Sequence, residues 1–184
     1  MAVKALFLDR DGVINEDTGY VFRKEHFRFI DGVFDLCRSA VFKAYIVVIV
    51  TNQSGIERGY FTEEDFQSLT GWMLARFADA GVKIADVFHC PSLSGPDRKP
   101  NPGMFLAAKN KHDIDMSLSL SLGDKDRDIQ AGRQAGVGTN VLYSAPGCDR
   151  RMLEHEVQDQ RRTEVAPWKA DRIITTLKEM EKFL

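Results

Sequence analysis

Short apolar runs and amphipathic stretches alternate along almost the whole chain. Ala5-Leu6-Phe7-Leu8 is a compact apolar block of the kind that a strand buried on both faces requires. Asp31-Gly32 then opens a stretch with apolar residues at Val33, Leu36, Cys37, Ala40 and Val41, a helical period with one inward stripe. Tyr45 to Val50, rich in β-branching, predicts a central parallel strand that stops at Thr51-Asn52-Gln53-Ser54-Gly55. Thr62 occupies the cap position of the next helix, with Glu63, Glu64 and Asp65 in its first turn and Phe66, Leu69, Met73 and Phe77 on its core face. Gly81 ends it.

The second half keeps the same rhythm. Ile84 to Cys90 predicts a third strand, followed by the Pro- and Gly-containing loop from Pro91 to Pro100. Asn101-Pro102 reads as cap and first position of a helix reaching about His112. Leu118 to Leu122 predicts a fourth strand running into Gly123-Asp124-Lys125-Asp126; its helix spans Asp128 to Ala135, and Thr139 to Tyr143 makes a fifth strand. Residues 144 to 166 mix both charge signs with Pro and Gly and read as a solvated excursion. Arg172-Ile173-Ile174 predicts a short edge strand, and Thr176 the start of a C-terminal helix. Such alternation predicts an α/β protein, a doubly wound parallel sheet with right-handed crossovers, as one domain over 1–184. A separate cap domain is not expected, because the stretches Gly12–Ala44 and Gly55–Arg98 are consumed by ordinary connections.

Composition narrows the partners. With 184 residues and 43% apolar content the chain can bury a sizeable core, which excludes a disordered protein. A net charge of −2 gives no global basic face for nucleic acid or an anionic membrane, so any phosphate binding has to be local. Cys37, Cys90 and Cys148 are far apart and in no CxxC arrangement, which fits reduced thiols in a cytoplasm. Met1-Ala2-Val3-Lys4 runs directly into the first strand, so neither a signal peptide nor a membrane anchor is expected, and a monomer is favoured.

The chemistry lies at the strand ends. Asp9 and Asp11 follow the first strand two residues apart, and if the extended geometry persists both carboxylates face the same way. Like charges crowded there repel unless a cation or a shared proton intervenes, which points to a divalent metal held by oxygen. All strands of a parallel sheet end at one edge. Thr51, Asn52, Asp124 and Lys99 can therefore join them in one pocket: carboxylates for a hard cation, a hydroxyl and amide for phosphate oxygens, and one mobile positive charge. Asp126 and Asp128 stand at a helix start, where the dipole favours acids, so they serve the helix as readily as a metal. Arg58 reads as a solvated surface charge.

In order and spacing, Asp9-Arg-Asp-Gly, Thr51-Asn-Gln-Ser-Gly, Arg98-Lys99-Pro100 and Gly123-Asp124-Lys125 resemble the four motifs of the haloacid dehalogenase superfamily of phosphatases. Asp17-Thr-Gly-Tyr20, Phe29-Ile-Asp-Gly32, Gly55-Ile-Glu-Arg-Gly59 and Asn101-Pro-Gly-Met104 are similar to its heptose bisphosphate branch, a relative of the histidinol-phosphatases that serves lipopolysaccharide synthesis. The resemblance implies a Mg²⁺-dependent phosphomonoesterase with a small sugar-phosphate substrate. It implies metal at Asp9, Asp124 and the backbone carbonyl of Asp11, Asp9 as nucleophile, and Asp11 as acid and base. Lys99 would neutralise charge beside Thr51 and Asn52, and Asp17, Thr18, Gly19, Tyr20, Gln53, Ser54, Arg98 and Lys125 would hold the substrate. A histidinol-phosphatase or another small sugar-phosphate phosphatase, and remotely a non-catalytic phosphosugar-binding protein, remain as alternatives. That branch often carries a Cys/His zinc cluster ahead of Arg-Lys-Pro. Here only His89 and Cys90 remain, too few for about four zinc ligands, so zinc is not expected. Val13 also replaces the Thr usual in Asp-Gly-Thr.

Overall fold

The computed structural model describes residues 2–145 and 169–184. The strands are β1 (Lys4–Leu8), β2 (Tyr45–Asn52), β3 (Ile84–Cys90), β4 (Leu120–Gly123), β5 (Thr139–Tyr143) and β6 (Arg172–Ile174), and the α-helices are α1 (Val33–Phe42), α2 (Glu63–Asp79), α3 (Gly103–His112) and α4 (Asp126–Gln134). They build one 6-stranded sheet in the order β3-β2-β1-β4-β5-β6, with every pair parallel. The chain moves outward from β1 to β3 and then returns to place β4 on the other side of β1. The winding reverses between β1 and β4, and at such a reversal a crevice opens beyond the carboxyl ends of the strands.

Period-two alternation on β1 explains why it lies at the centre. Leu6 and Leu8 enter one apolar layer with Val47, Ile49, Leu36, Met73 and Phe77, while Ala5 and Phe7 enter the other with Val48, Val50, Met104 and Phe105. Phe7 and Phe105 touch with ring centroids 4.9 Å apart. Full burial of a side chain of that size contributes about 1.5–3 kcal/mol. Thr62 starts α2 as a capping box, its hydroxyl accepting from the Asp65 N–H at 3.1 Å while the Asp65 carboxylate accepts from the Thr62 N–H at 2.9 Å.

Several boundaries differ from the sequence reading for local reasons. The helix expected from Asn101 begins at Gly103 instead, because the Asn101 amide donates to the Gly95 carbonyl at 2.9 Å and stays in the loop. Residues Met116–Leu118 form a 3₁₀ turn, so the fourth strand starts at Leu120 rather than Leu118. The helix expected from Asp128 starts earlier, at Asp126. The C-terminal helix is 3₁₀, Leu177–Lys182, capped by Thr176. Val41, expected on the buried stripe of α1, is exposed. Most of the expected excursion of 144–166, with Cys148, lies outside the described residues.

Candidate active site

Asp9 directly follows β1. Its N–H donates to the Leu122 carbonyl of β4 at 3.0 Å, which fixes the residue at the reversal point of the sheet. Its Oδ1 accepts from the Arg10 N–H at 2.8 Å and pairs with Lys99 Nζ at 3.0 Å. Among the described residues no donor reaches Oδ2. Burial pushes this carboxyl up to about 6; the Lys99 ammonium opposes the rise, and the charges of Asp128 and Asp11 add to it.

Lys99 is buried and fixed, not the mobile charge that its loop position suggests. Nζ donates to the Val50 carbonyl at 2.8 Å and pairs with Asp9 Oδ1 at 3.0 Å and Asp128 Oδ1 at 2.7 Å. Burial disfavours its charge, but the Asp128 and Asp9 carboxylates outweigh burial and hold the ammonium above its ordinary range. Asn52 locks the backbone beneath it: Nδ2 donates to the Lys99 carbonyl at 3.0 Å, and Oδ1 accepts from the Lys99 N–H at 3.0 Å. The end of β2 thus positions a lysine that the sequence carries on a distant loop.

Asp124 leaves β4 with Oδ1 buried and unpartnered. Burial, then the charges of Asp9 and Asp128, push it up to about 7. Asp128 reaches back from the first turn of α4, where its Oδ2 accepts from the Lys125 N–H at 3.0 Å. One oxygen from each of Asp9, Asp124 and Asp128 lies within 4.8 Å of the others. An orphaned buried oxygen among crowded carboxylates fits a hard divalent cation such as Mg²⁺. Gly12 closes that corner, since a Cβ there would come 2.2 Å from Asp124 Oδ2. Asp128, read from sequence as equally a helix residue, both caps the first turn of α4 and stands in this carboxylate cluster.

The Asp11 side chain stands outside that cluster and only its carbonyl remains for the metal role that the resemblance implies. Its carboxylate is surrounded by donors: Arg10 Nη2 at 3.0 and 2.9 Å, Asn15 Nδ2 at 3.0 Å and Gln53 Nε2 at 2.9 Å. Gln53 Nε2 also donates to Thr51 Oγ1 at 2.8 Å, so Thr51, Gln53 and Asp11 form one chain.

Above these groups opens a cleft of about 310 Å³. Asp9, Asp11 and Thr51 lie at its floor, with Asn52, Gln53 and Ser54 beside them. Asp17, Gly19 and Tyr20 form one wall, and Arg98 and Lys125 also line it. Thr18 does not. Lys125 Nζ pairs with Asp17 Oδ2 at 2.7 Å and lies 3.6 Å from Asp124 Oδ2; although burial opposes it, Asp124 and Asp17 raise the ammonium above its ordinary range. Burial alone would raise Asp17, but Lys125 outweighs it and holds the carboxyl below its usual value. Arg98 Nη1 donates to the Ser92 carbonyl at 2.9 Å.

Besides Gly55, two charged lining residues were missed. Arg58, read as a surface charge, faces the cleft, and so does Arg127 from the first turn of α4. A helix start just beyond a strand end is where anions bind, and that placement was the available signal for Arg127. His89 and Cys90 diverge as adjacent strand residues must: the imidazole bonds Glu63 and stacks on Phe66 at 4.2 Å, while the thiol lies 3.8 Å from the Ser92 carbonyl.

Fold, carboxylate cluster and cleft together define a phosphatase of the haloacid dehalogenase superfamily, and a HAD-hydrolase-like family model matches residues 97–180. The chain belongs, within that superfamily, to the family of D-glycero-D-manno-heptose-1,7-bisphosphate 7-phosphatases. It is 49% identical over 160 residues to the enzyme of that name for the alpha anomer from Burkholderia mallei, covering 82% of each chain. It is 46% identical over 151 residues to the beta-anomer enzyme of Escherichia coli K12, covering 77% of this chain and 79% of that one. Among solved structures, the D,D-heptose 1,7-bisphosphate phosphatase of B. bronchiseptica, complexed with magnesium and phosphate, matches with a TM-score of 0.80 and 27% identity over 98% of this chain and 97% of that one.

Proposed function

We propose that this protein removes the 7-phosphate of D-glycero-D-manno-heptose 1,7-bisphosphate through a phosphorylated Asp9. The observation that carries the mechanism is the asymmetry of Asp9: Arg10 and Lys99 hold Oδ1, and Oδ2 is left free of donors. Mg²⁺ held by Asp9 and Asp124, with Asp128 beside them, would supply positive charge that offsets the repulsion between nucleophile and phosphoryl group. Asp9 Oδ2 attacks phosphorus and the bond to the sugar O7 breaks. Asp11 gives its proton to that departing oxygen. Water then attacks the same phosphorus, Asp11 takes a proton from it, and the bond to Oδ2 breaks to release inorganic phosphate. Lys99 keeps its charge throughout, because Asp9 and Asp128 hold it there.

The outer part of the cleft suits a substrate with a second anion. The side chains of Arg58 and Arg127 line it without a hydrogen bond or ion pair of their own among the described residues, beside Arg98 and Lys125. A phosphate that stays on the sugar fits that wall better than a neutral group. The named relatives include enzymes for both anomers, so the test is phosphate release from both anomers and from histidinol phosphate, with and without Mg²⁺. Fastest turnover of the heptose bisphosphate with Mg²⁺ is the expected result. Preference for histidinol phosphate would overturn the substrate, and Mg²⁺-independent release the mechanism. The reading includes a cytoplasmic monomer with free thiols at Cys37 and Cys90, which size-exclusion chromatography coupled to light scattering checks for oligomeric state. Among the described residues no helix is long and apolar enough to cross a membrane.

A further inference from the structure

We infer that Arg10, the residue between the two motif carboxylates, is the positioning residue that aims Asp11 at the leaving group. Large cations are rarely buried unless paired, and Arg10 is 1% exposed. Its guanidinium lies across the Asp11 carboxylate, with Nη2 at 3.0 and 2.9 Å from the two oxygens and Nε at 3.3 Å from Oδ1. Nη2 also donates to the Val21 carbonyl at 2.8 Å, at the end of the segment that carries Asp17, Gly19 and Tyr20. The guanidinium carbon sits 5.7 Å from the centre of the Phe66 ring, on the core face of α2. The Arg10 carbonyl accepts from the Ile14 and Asn15 N–H groups at 2.8 and 3.1 Å, which fixes the backbone from which the side chain extends.

This wiring does more than neutralise a charge. Adjacent carboxylates at a strand end need independent aiming, one at phosphorus and the other at an oxygen on its far side. The Arg10 N–H holds Asp9 Oδ1 while its side chain holds Asp11, so one residue sets both carboxylates. The planar fork matters, because Lys offers a point charge without a fixed direction. Asn15 and Gln53 each supply one further donor, but neither carries charge or reaches the substrate wall through Val21. Arg10 therefore joins the wall that places the sugar to the group that protonates its oxygen.

The inference rests on Asp11 acting as the proton donor of the proposed reaction, and the experiment separates the two. Arg10→Lys and Arg10→Met are assayed with Mg²⁺ on the heptose bisphosphate, whose alkoxide leaving group needs a proton, and on p-nitrophenyl phosphate, whose phenolate does not; the rate of leaving-group departure is read in a single turnover with enzyme in excess, ahead of the water attack that uses Asp11 for either substrate, and Asp11→Asn serves as reference. For Arg10→Lys the expected result is a fall in that single-turnover rate of about tenfold or more on the sugar phosphate, less than about threefold on the aryl phosphate, and half-saturation near that of the wild type. Arg10→Met should fall further on the sugar phosphate alone. Equal losses on both substrates would show a structural cation and overturn the inference. So would discrimination by Asp11→Asn with none by Arg10→Lys, while the mechanism stood. No discrimination by Asp11→Asn would sink the proton-donor role and the inference with it. Should Arg10→Met fail to fold, as a thermal melt would reveal, Arg10→Lys alone decides.

Discussion

Removal of Mg²⁺ should make this protein lose stability as pH rises through neutrality, the reverse of ordinary acid denaturation. Asp9 and Asp124 are raised from 3.8 to about 6 and about 7 in the folded chain, chiefly by burial. A carboxyl raised on folding contributes stability that is fully present below its unfolded value and is lost as pH climbs through the folded one. Taken singly, the shifts correspond to about 3 kcal/mol for Asp9 and about 4 kcal/mol for Asp124. The value for Asp124 already contains the charge of Asp9, so their joint effect is smaller than the sum, on the order of 5 kcal/mol. Asp17, Asp86 and Asp171 are lowered in the fold and act at more acid pH, so the window from about pH 5 to 8 reports the cluster. For a chain of this size the loss corresponds to a fall in Tm of about 10–20 °C. Melts in EDTA and in excess Mg²⁺ across that range check it, and the stabilisation by Mg²⁺ should grow with pH. Asp124→Asn removes one of the crowded charges, so in EDTA at pH 8 it should melt above the wild type yet gain little from Mg²⁺. A pH-independent Mg²⁺ shift, or an Asp124→Asn variant that melts lower in EDTA at pH 8, would refute the account.

Asp9→Asn should abolish turnover while the metal-free melt at neutral pH stays unchanged or rises; substantial residual activity would remove Asp9 as nucleophile. Lys99→Met leaves Asp9 and Asp128 buried without their cation, a class of change that costs about 3–5 kcal/mol, so turnover should fall by far more than in Arg98→Ala, whose effect should be mainly on KM. Arg127→Ala should raise KM for the bisphosphate about tenfold and leave a sugar monophosphate unaffected, which steady-state kinetics on the two substrates would show. Treatment with a zinc-selective chelator, followed by a melt in Mg²⁺, should leave Tm unchanged; a fall would show that His89 and Cys90 belong to a zinc site.

The core of the fold was legible because burial imposes periodicity. Ala5–Leu8 and Tyr45–Val50 are apolar on consecutive positions, as strands covered on both faces must be, and α2 announces itself through Thr62 and its acidic first turn. The parallel edge then brought Asp9, Thr51, Lys99 and Asp124 together by topology alone. Local competition was harder to see: the Asn101 amide chose the Gly95 carbonyl over a helix cap, an alternative that the sequence offers equally. What side chains do to one another was not legible either. That Asn52 grips the Lys99 backbone and Arg10 grips Asp11 depends on rotamers in a closed space, and a buried arginine beside acids reads in sequence as an ordinary charge. Arg58 and Arg127 were missed for the same reason, since the direction in which a long cation points is set by its neighbours.

The hydrogen bond from the Asp9 N–H to the Leu122 carbonyl has a consequence for the life of the molecule. That amide lies in the middle strand pair of the sheet, where release to solvent requires the whole layer to come apart. Its deuterium uptake should therefore be among the slowest in the chain and track global unfolding, whereas the loop amides around Asp17 and Gly59 exchange quickly through local opening. The proposed nucleophile is thus tied to the last region to let go. A gradually heated sample should pass from fully competent to inactive in a single cooperative step, with no half-melted form in which Asp9 has drifted out of line while the sheet survives.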